Sequence, residues 1–124
     1  MKFARYTFAI GGILGILALA PMYLLETKFG IDNPPIITHP EFYYGFIGIA
    51  LAFQIVFLII ATDPFKYRPL MLASIVEKFS FGLAVIWLFL TGRVQGQMFY
   101  AGLLDTVLGI LFIISYFKTG FSKE

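Results

Sequence analysis

FYYGFIGIALAFQIVFLIIA, residues 42–61, contains no charged side chain and a single amide, that of Gln54. A helix rises about 1.5 Å per residue, so roughly 20 residues cross the ~30 Å hydrocarbon core of a bilayer. Within lipid the backbone has no water to bond, and a helix satisfies its own polar groups inside one segment. The stretch from Phe42 to Ala61 therefore predicts a transmembrane helix.

Other stretches of similar length and polarity lie on either side of it, at about residues 6–25, 70–90 and 98–117. Pro64, Pro69 and Gly92 fall in the connections between them. Such residues end helices or form turns. We therefore predict an all-α fold, with a single transmembrane domain over residues 1–124 whose four helices form an antiparallel, up-down-up-down bundle.

The composition agrees with lipid as the solvent of this surface. Of 124 residues, 60% are hydrophobic and 13% are charged, and the mean hydropathy is +0.89, whereas soluble domains carry about 25% charged residues. The sequence has no cysteine, which excludes disulfides and thiolate chemistry. Its one histidine, His39, argues against haem or a histidine-rich metal centre, so no metal or cofactor is predicted. A scattered net charge of +2 argues against nucleic acid as a partner.

The N-terminus has features of a signal peptide, because Lys2 and Arg5 precede an apolar run and Ala18-Leu19-Ala20 resembles a cleavage site. Pro21 follows directly, at a position where signal peptidases tolerate proline badly. We therefore expect that the segment is retained as the first helix.

The positive charges fall unevenly among the segments that connect the predicted helices. Six lysines and arginines would share one side of the membrane, namely Lys2, Arg5, Lys66, Arg68, Lys118 and Lys123. Lys28 and Arg93 would lie on the other side. Because cytoplasmic segments are enriched in these residues, we predict that both termini and the second loop are cytoplasmic.

The first loop, residues 26–41, then faces outward and is long for a connection in a helical bundle. Asn33-Pro34-Pro35 and His39-Pro40 prevent it from being helical throughout. Two roles are consistent with its length: a cap over the outer mouth of the bundle, or a contact surface for a partner. Both are kept as alternatives.

Polar side chains at membrane depth are the clearest functional signal, because their burial in lipid costs free energy. The residues are Gln54, Glu77, Lys78 and Asp105. One interpretation is a charge-neutral polar clasp that holds the four helices in register. The other is a site for a ligand or an ion.

Helix geometry predicts how these residues meet. Gln54 and Glu77 are equally distant from the middle of the second connection, so adjacent antiparallel helices would bring them to one level. We predict that their side chains lie within hydrogen-bond distance and face the bundle interior. Glu77 and Lys78 point about 100° apart on one helix, which predicts that they do not both face the bundle centre.

Asp105 is the position that we expect to contact a ligand or partner. Gly48 and Gly82 fall at its depth and would leave space beside it. Its carboxyl has three options: to stay protonated, to pair with Arg93 from the outer loop, or to pair with Lys78 from below.

Three residues outside the helices, Asp63, Arg68 and Arg93, are further candidates. We interpret Asp63 as a cap of the second loop and Arg68 as one of the charges that set topology, in preference to a binding site. Arg93 is a candidate through its proposed reach to Asp105.

The second half of the chain holds a series of short motifs: Asp63-Pro64, Tyr67-Arg68-Pro69, Glu77-Lys78, Gly92-Arg93, Asp105, and then Phe112, Tyr116 and Thr119. With this series the chain resembles, over about residues 43–119, the small bacterial membrane proteins called DoxX-like. The resemblance implies an antiparallel four-helix bundle in the bacterial cytoplasmic (inner) membrane. Most such proteins have no assigned activity, and some look like accessory subunits of quinone-linked oxidoreductases, so no catalytic residue is carried over.

These features predict a non-catalytic, multi-pass protein that serves as an accessory or structural subunit of a larger membrane complex. The alternative is a binder or carrier of a small hydrophobic or protonated, quinone-like ligand at the intramembrane polar residues, and an enzyme ranks third. The first helix lacks the acidic residue that small multidrug transporters of similar size require, which excludes that class. The expected partners are the lipid bilayer and other membrane protein subunits.

Overall fold

The computed structural model describes residues 2–121, and its regular elements are all helical. They are, in chain order, α1 (Lys2–Leu19), which continues into a 3-10 helix (Ala20–Leu24), α2 (Glu26–Asp32), α3 (Pro40–Thr62), α4 (Arg68–Leu90) and α5 (Gly96–Phe121). Segments long and apolar enough to cross a membrane are Lys2–Leu24, Pro40–Thr62, Arg68–Leu90 and Gly96–Gly120, with mean hydropathies from 1.7 to 2.4. This confirms the prediction of an all-α chain with four such helices.

Proline sets several of the helix boundaries. Pro40 and Pro69 stand in the first turns of α3 and α4, where the missing N–H is harmless and the fixed φ suits a helix. Both helices therefore start two residues earlier than predicted. Pro21 has the opposite effect, because it cannot donate to the carbonyl group one turn earlier in α1, and the chain tightens into a 3-10 helix.

The first loop contains helix α2, which the sequence patterns did not predict. The helix ends before Asn33-Pro34-Pro35, since a residue that precedes proline is unfavourable in a helix. The returning chain packs on it, because a Cβ at Gly30 would lie 2.9 Å from the Cα of Ile36. Tyr44 of α3 donates a hydrogen bond of 2.9 Å to Glu26 Oε1, which ties the start of α2 to α3.

The long helices form two close pairs, α1 with α3 and α4 with α5. Glycines allow both approaches: a Cβ at Gly12 would lie 2.9 Å from the carbonyl oxygen of Gln54, and one at Gly82 would lie 2.9 Å from that of Gly102. Contacts between the two pairs are sparser. The pairs therefore meet along a looser seam.

Aromatic side chains close one end of this seam. Phe8, Phe57 and Phe112 are fully buried, with ring centroids 4.1 Å apart for Phe8 and Phe112 and 4.9 Å apart for Phe57 and Phe112. Ile60 and Met71 pack with them in one apolar cluster. We call this cluster the aromatic core, and the candidate site lies beyond it, toward the other end of the seam.

Candidate functional site

A cavity of about 940 Å³ lies between the two helix pairs, on the side of the aromatic core that faces α2. All four long helices, α2 and the chain that follows α2 contribute to its walls. The walls are mostly apolar and include Met22, Phe29, Phe46, Phe81, Met98 and Leu104. Small-molecule sites have volumes of roughly 300–1,000 Å³, so the cavity has the size of a ligand site.

The four polar residues singled out in the sequence line the part of the cavity nearest the aromatic core. Gln54 of α3, Glu77 and Lys78 of α4, and Asp105 of α5 all line the cavity. The ammonium of Lys78 lies 3.4 Å from Asp105 Oδ1 and 3.7 Å from Glu77 Oε1. We call these four residues the polar floor.

Lys78 lies at the boundary between the polar floor and the aromatic core. Its side chain is 5% exposed, and its Nζ lies 5.1 Å from the centroid of the Phe57 ring. The prediction that Glu77 and Lys78 do not both face the bundle centre is wrong, since both line the cavity. Their Cα–Cβ bonds point about 100° apart, but the long lysine stem carries its ammonium around the helix.

Asp105 takes one of the three options left open for it, the pair with Lys78. Arg93 does not line the cavity. It is exposed and contributes to a smaller pocket of about 210 Å³ together with Asn33 and Pro34. The cation that contacts the Asp105 carboxyl is therefore Lys78, which lies on the side of the aromatic core.

The space beside Asp105 does not come from the two glycines predicted to supply it. A Cβ at Gly82 would lie 2.6 Å from Thr106 Oγ1, so this glycine serves the close contact between α4 and α5. A Cβ at Gly48 would lie 3.4 Å from the hydroxyl of Tyr23. The cavity arises instead from the looser seam between the helix pairs.

Gln54 is 1% exposed and donates a hydrogen bond of 2.8 Å from Nε2 to the carbonyl oxygen of Ala50. Its Oε1 accepts no hydrogen bond from residues 2–121. The predicted hydrogen bond between Gln54 and Glu77 is therefore wrong. The reason is the helix pairing: α3 packs more closely on α1 than on α4, and the Gln54 side chain lies where a Cβ at Gly15 would overlap it.

The candidates in the second loop lie away from the cavity. Asp63 Oδ1 accepts a hydrogen bond of 3.2 Å from the backbone N–H of Lys66, as a loop cap does. Arg68 donates to the carbonyl oxygen of Tyr116 at 2.9 Å and to Thr119 Oγ1 at 3.2 Å, and its guanidinium lies 3.7 Å from the Tyr116 ring centroid. Arg68 thus joins the start of α4 to the end of α5.

The first loop supplies cavity residues that the sequence reasoning did not single out. Phe29 of α2 and Ile37 line the cavity, and the Tyr43 hydroxyl donates a hydrogen bond of 2.7 Å to the carbonyl oxygen of Met22. Of the two roles left open for this loop, the geometry favours the cap. The sequence did contain an indication of this role, because the large apolar residues Phe29, Ile36 and Ile37 lie in a segment predicted to face water.

Over the described range 2–121, no group of three or more His, Cys, Asp or Glu side chains is placed to hold a metal ion. Comparisons with models of protein families, with curated proteins and with solved structures find no match to this chain. The DoxX-like resemblance therefore stays a prediction.

Proposed function

We propose that this is a multi-pass membrane protein that binds a small amphiphilic molecule within the bilayer. The apolar body of the molecule would occupy the cavity, and its polar head would contact the polar floor. One observation carries the proposal: a cavity of about 940 Å³ with apolar walls ends on Gln54, Glu77, Lys78 and Asp105. Ligand sites have this composition, with mostly apolar walls and a few polar groups that fix orientation.

In this proposal the four long helices cross the membrane as an antiparallel bundle. Two hydrogen bonds support the arrangement. Arg5, near the start of α1, donates to the carbonyl oxygen of Ala61 near the end of α3 at 3.1 Å. Tyr43, near the start of α3, donates to that of Met22, beyond the end of α1, at 2.7 Å. The DoxX-like resemblance adds the bacterial inner membrane to the proposal.

The volume of the cavity favours a ligand over a polar clasp alone. Protein interiors pack at the density of organic crystals and contain few voids larger than a water molecule. A clasp that only joined helices would be more stable with the helix pairs closed on it, because the lining atoms of a void lose contacts. The polar floor also sets two carboxyl groups, Glu77 and Asp105, against one ammonium, Lys78, so the acidic and basic groups are not matched one to one.

The accessory-subunit hypothesis stays a prediction. It requires a face that is reserved for another protein, whereas the large exposed apolar side chains are spread over α1, α3, α4 and α5. Such a distribution is what contact with lipid on all sides requires. The binding proposal names a defined cavity, and substitutions of its lining residues can test it.

The test uses the protein in nanodiscs of zwitterionic lipid, with empty nanodiscs as the baseline for calorimetry. The probes share one body and differ in the head group: phenylhexylamine, phenylhexanol and phenylhexanoate. We expect saturable binding of at least one of them. Ala101→Phe, which places a larger side chain in the cavity wall, should weaken that binding by about tenfold, or ~1.4 kcal/mol.

Ala84→Phe is the matched control, because Ala84 is exposed on α4 and does not line the cavity. It should leave the binding unchanged. If none of the probes binds above the empty nanodiscs, or if both variants behave alike, the proposed function is wrong.

A further inference from the structure

We infer that the head group taken by this site is a cation, and that the ligand class is a lipophilic amine carrying a protonated nitrogen. The inference rests on the proposed function and names the chemistry of its ligand. It follows from three observations: the number of acidic and basic groups in the polar floor, the greater exposure of its carboxyl side chains, and the acceptors that have no hydrogen bond.

The charge of the polar floor is unbalanced. Lys78 lies between two carboxyl groups, 3.4 Å from Asp105 Oδ1 and 3.7 Å from Glu77 Oε1. With all three ionised, the layer carries one excess negative charge. An uncompensated charge is unfavourable at this depth, so either a proton or a bound cation must supply the second positive charge.

All three charged residues line the cavity, and the two carboxyl side chains are more exposed than that of the lysine. The side chains of Glu77 and Asp105 are 16% and 18% exposed, against 5% for Lys78. Lys78 lies on the core side, with its Nζ 5.1 Å from the centroid of the Phe57 ring. A molecule that enters the cavity therefore meets carboxyl oxygens before it reaches the lysine.

The unpaired polar atoms of the floor are acceptors. Gln54 is 1% exposed and uses its Nε2 for the carbonyl oxygen of Ala50, while its Oε1 is buried and accepts no hydrogen bond from residues 2–121. Glu77 Oε1 is also buried without a hydrogen bond, because the Lys78 ammonium lies 3.7 Å away, beyond hydrogen-bond distance. A buried acceptor without a donor is unfavourable. An alkylammonium brings three N–H donors, an alcohol brings one, and a carboxylate brings none.

The charged groups near the mouth of the cavity do not change this balance. Lys28 and Asp32 both line the cavity, and Lys28 Nζ forms an ion pair of 2.7 Å with Asp32 Oδ2. Tyr43, which also lines the cavity, donates its hydroxyl to a backbone carbonyl. The excess negative charge of the lining thus lies in the polar floor.

The occupant is organic rather than a metal ion. The ammonium of Lys78 already occupies the position between the two carboxyl groups where a metal ion would bind. The walls above are apolar and aromatic, with Phe46 and Phe81 stacked at a centroid distance of 5.6 Å. Aromatic faces attract organic cations, and apolar walls accept the tail.

The experiment compares the three phenylhexyl probes in zwitterionic nanodiscs, so that lipid charge does not attract the amine. The amine should bind about tenfold or more tightly than the alcohol, and the carboxylate should bind most weakly. In Glu77→Gln the ratio of amine to alcohol affinity should fall toward one, with alcohol binding retained. Because both affinities are measured on the same variant, a general loss of folded protein does not affect their ratio.

Asp105→Asn is the second variant, and it should reduce the same ratio if Glu77→Gln does not fold. Asp63→Asn removes a carboxyl group far from the cavity and should leave the ratio as in the parent protein. Equal binding of amine and alcohol, or tightest binding of the carboxylate, overturns the cationic head while the proposed function stands. Absence of binding by all three probes overturns both.

Discussion

Lys78 is the residue at which the aromatic core and the cavity meet. Its ammonium has Asp105 Oδ1 at 3.4 Å, Glu77 Oε1 at 3.7 Å and the Phe57 ring centroid at 5.1 Å. A buried ammonium is stable when an anion lies beside it, and either carboxyl group alone can meet that need. The two carboxyl groups are therefore redundant for stability, whereas a ligand with a cationic head would use both.

This redundancy predicts a non-additive loss of stability. Glu77→Gln and Asp105→Asn should each lower the free energy of unfolding by less than about 1 kcal/mol, because the other carboxyl group still neutralises Lys78. The double variant leaves a buried ammonium without an anion and should lose about 3–5 kcal/mol. Reversible unfolding in mixed micelles measures all three.

Lys78→Met in the background of the double variant is the control, since it removes the unpaired charge and should restore most of the lost stability. Losses that simply add, with no recovery on removal of the lysine, would contradict the redundancy of Glu77 and Asp105.

At the scale of single residues, the members of the polar floor could be predicted, whereas their partners could only be narrowed to options, of which the pair of Asp105 with Lys78 forms and that of Gln54 with Glu77 does not. Gln54, Glu77, Lys78 and Asp105 stand out because each interrupts an apolar helix. Their depths follow from the fixed rise of a helix. The partner of a side chain depends on its rotamer and on which helix packs against it, and neither quantity is encoded in spacing along the chain.

The long helices form two close pairs, α1 with α3 and α4 with α5, and the contact between α3 and α4 is looser than their short connection suggests. The tight second connection predicts α3 beside α4, yet α3 packs most closely on α1 and α4 on α5. Helix bounds follow from hydropathy and proline, which act locally. The choice of partner follows from where small residues let backbones approach, and a pair such as Gly12 and Gln54 is recognisable only once both helices are placed.

The α1–α3 contact predicts opposite effects of one substitution at two glycines. A Cβ at Gly12 would lie 2.9 Å from the backbone oxygen of Gln54 and 3.0 Å from Leu58 Cδ2. Because the backbone cannot move aside without separating the helices, Gly12→Ala should lower the free energy of unfolding by about 1–3 kcal/mol.

Gly45→Ala is the matched control in the partner helix, where a Cβ would meet nothing within 4 Å. It should leave stability unchanged or raise it by up to about 1 kcal/mol, because alanine loses less backbone entropy in a helix. Unfolding of both variants in the same micelles provides the comparison. A tolerated Gly12→Ala would mean that α1 and α3 are not in close contact.

The molecule as a whole is closed at one end and hollow at the other. Phe8, Phe57 and Phe112 fill the closed end, and the cavity occupies the end beneath α2. The four long apolar helices could be predicted, since an apolar stretch of this length leaves few alternatives to a helix. Helix α2 could not, because a seven-residue helix depends on tertiary contacts such as that of Tyr44 with Glu26.

The distribution of charge predicts which way the hollow end faces. Lys66 lies in the connection at the closed end and Arg68 begins α4 there, whereas α2 covers the other end. Because cytoplasmic segments are enriched in lysine and arginine, we expect the cavity to open toward the outer face. The chain has no cysteine, so a single introduced thiol reports its own side. A membrane-impermeant maleimide should label His39→Cys in intact cells and Lys66→Cys only after lysis, and the reverse pattern would invert the topology.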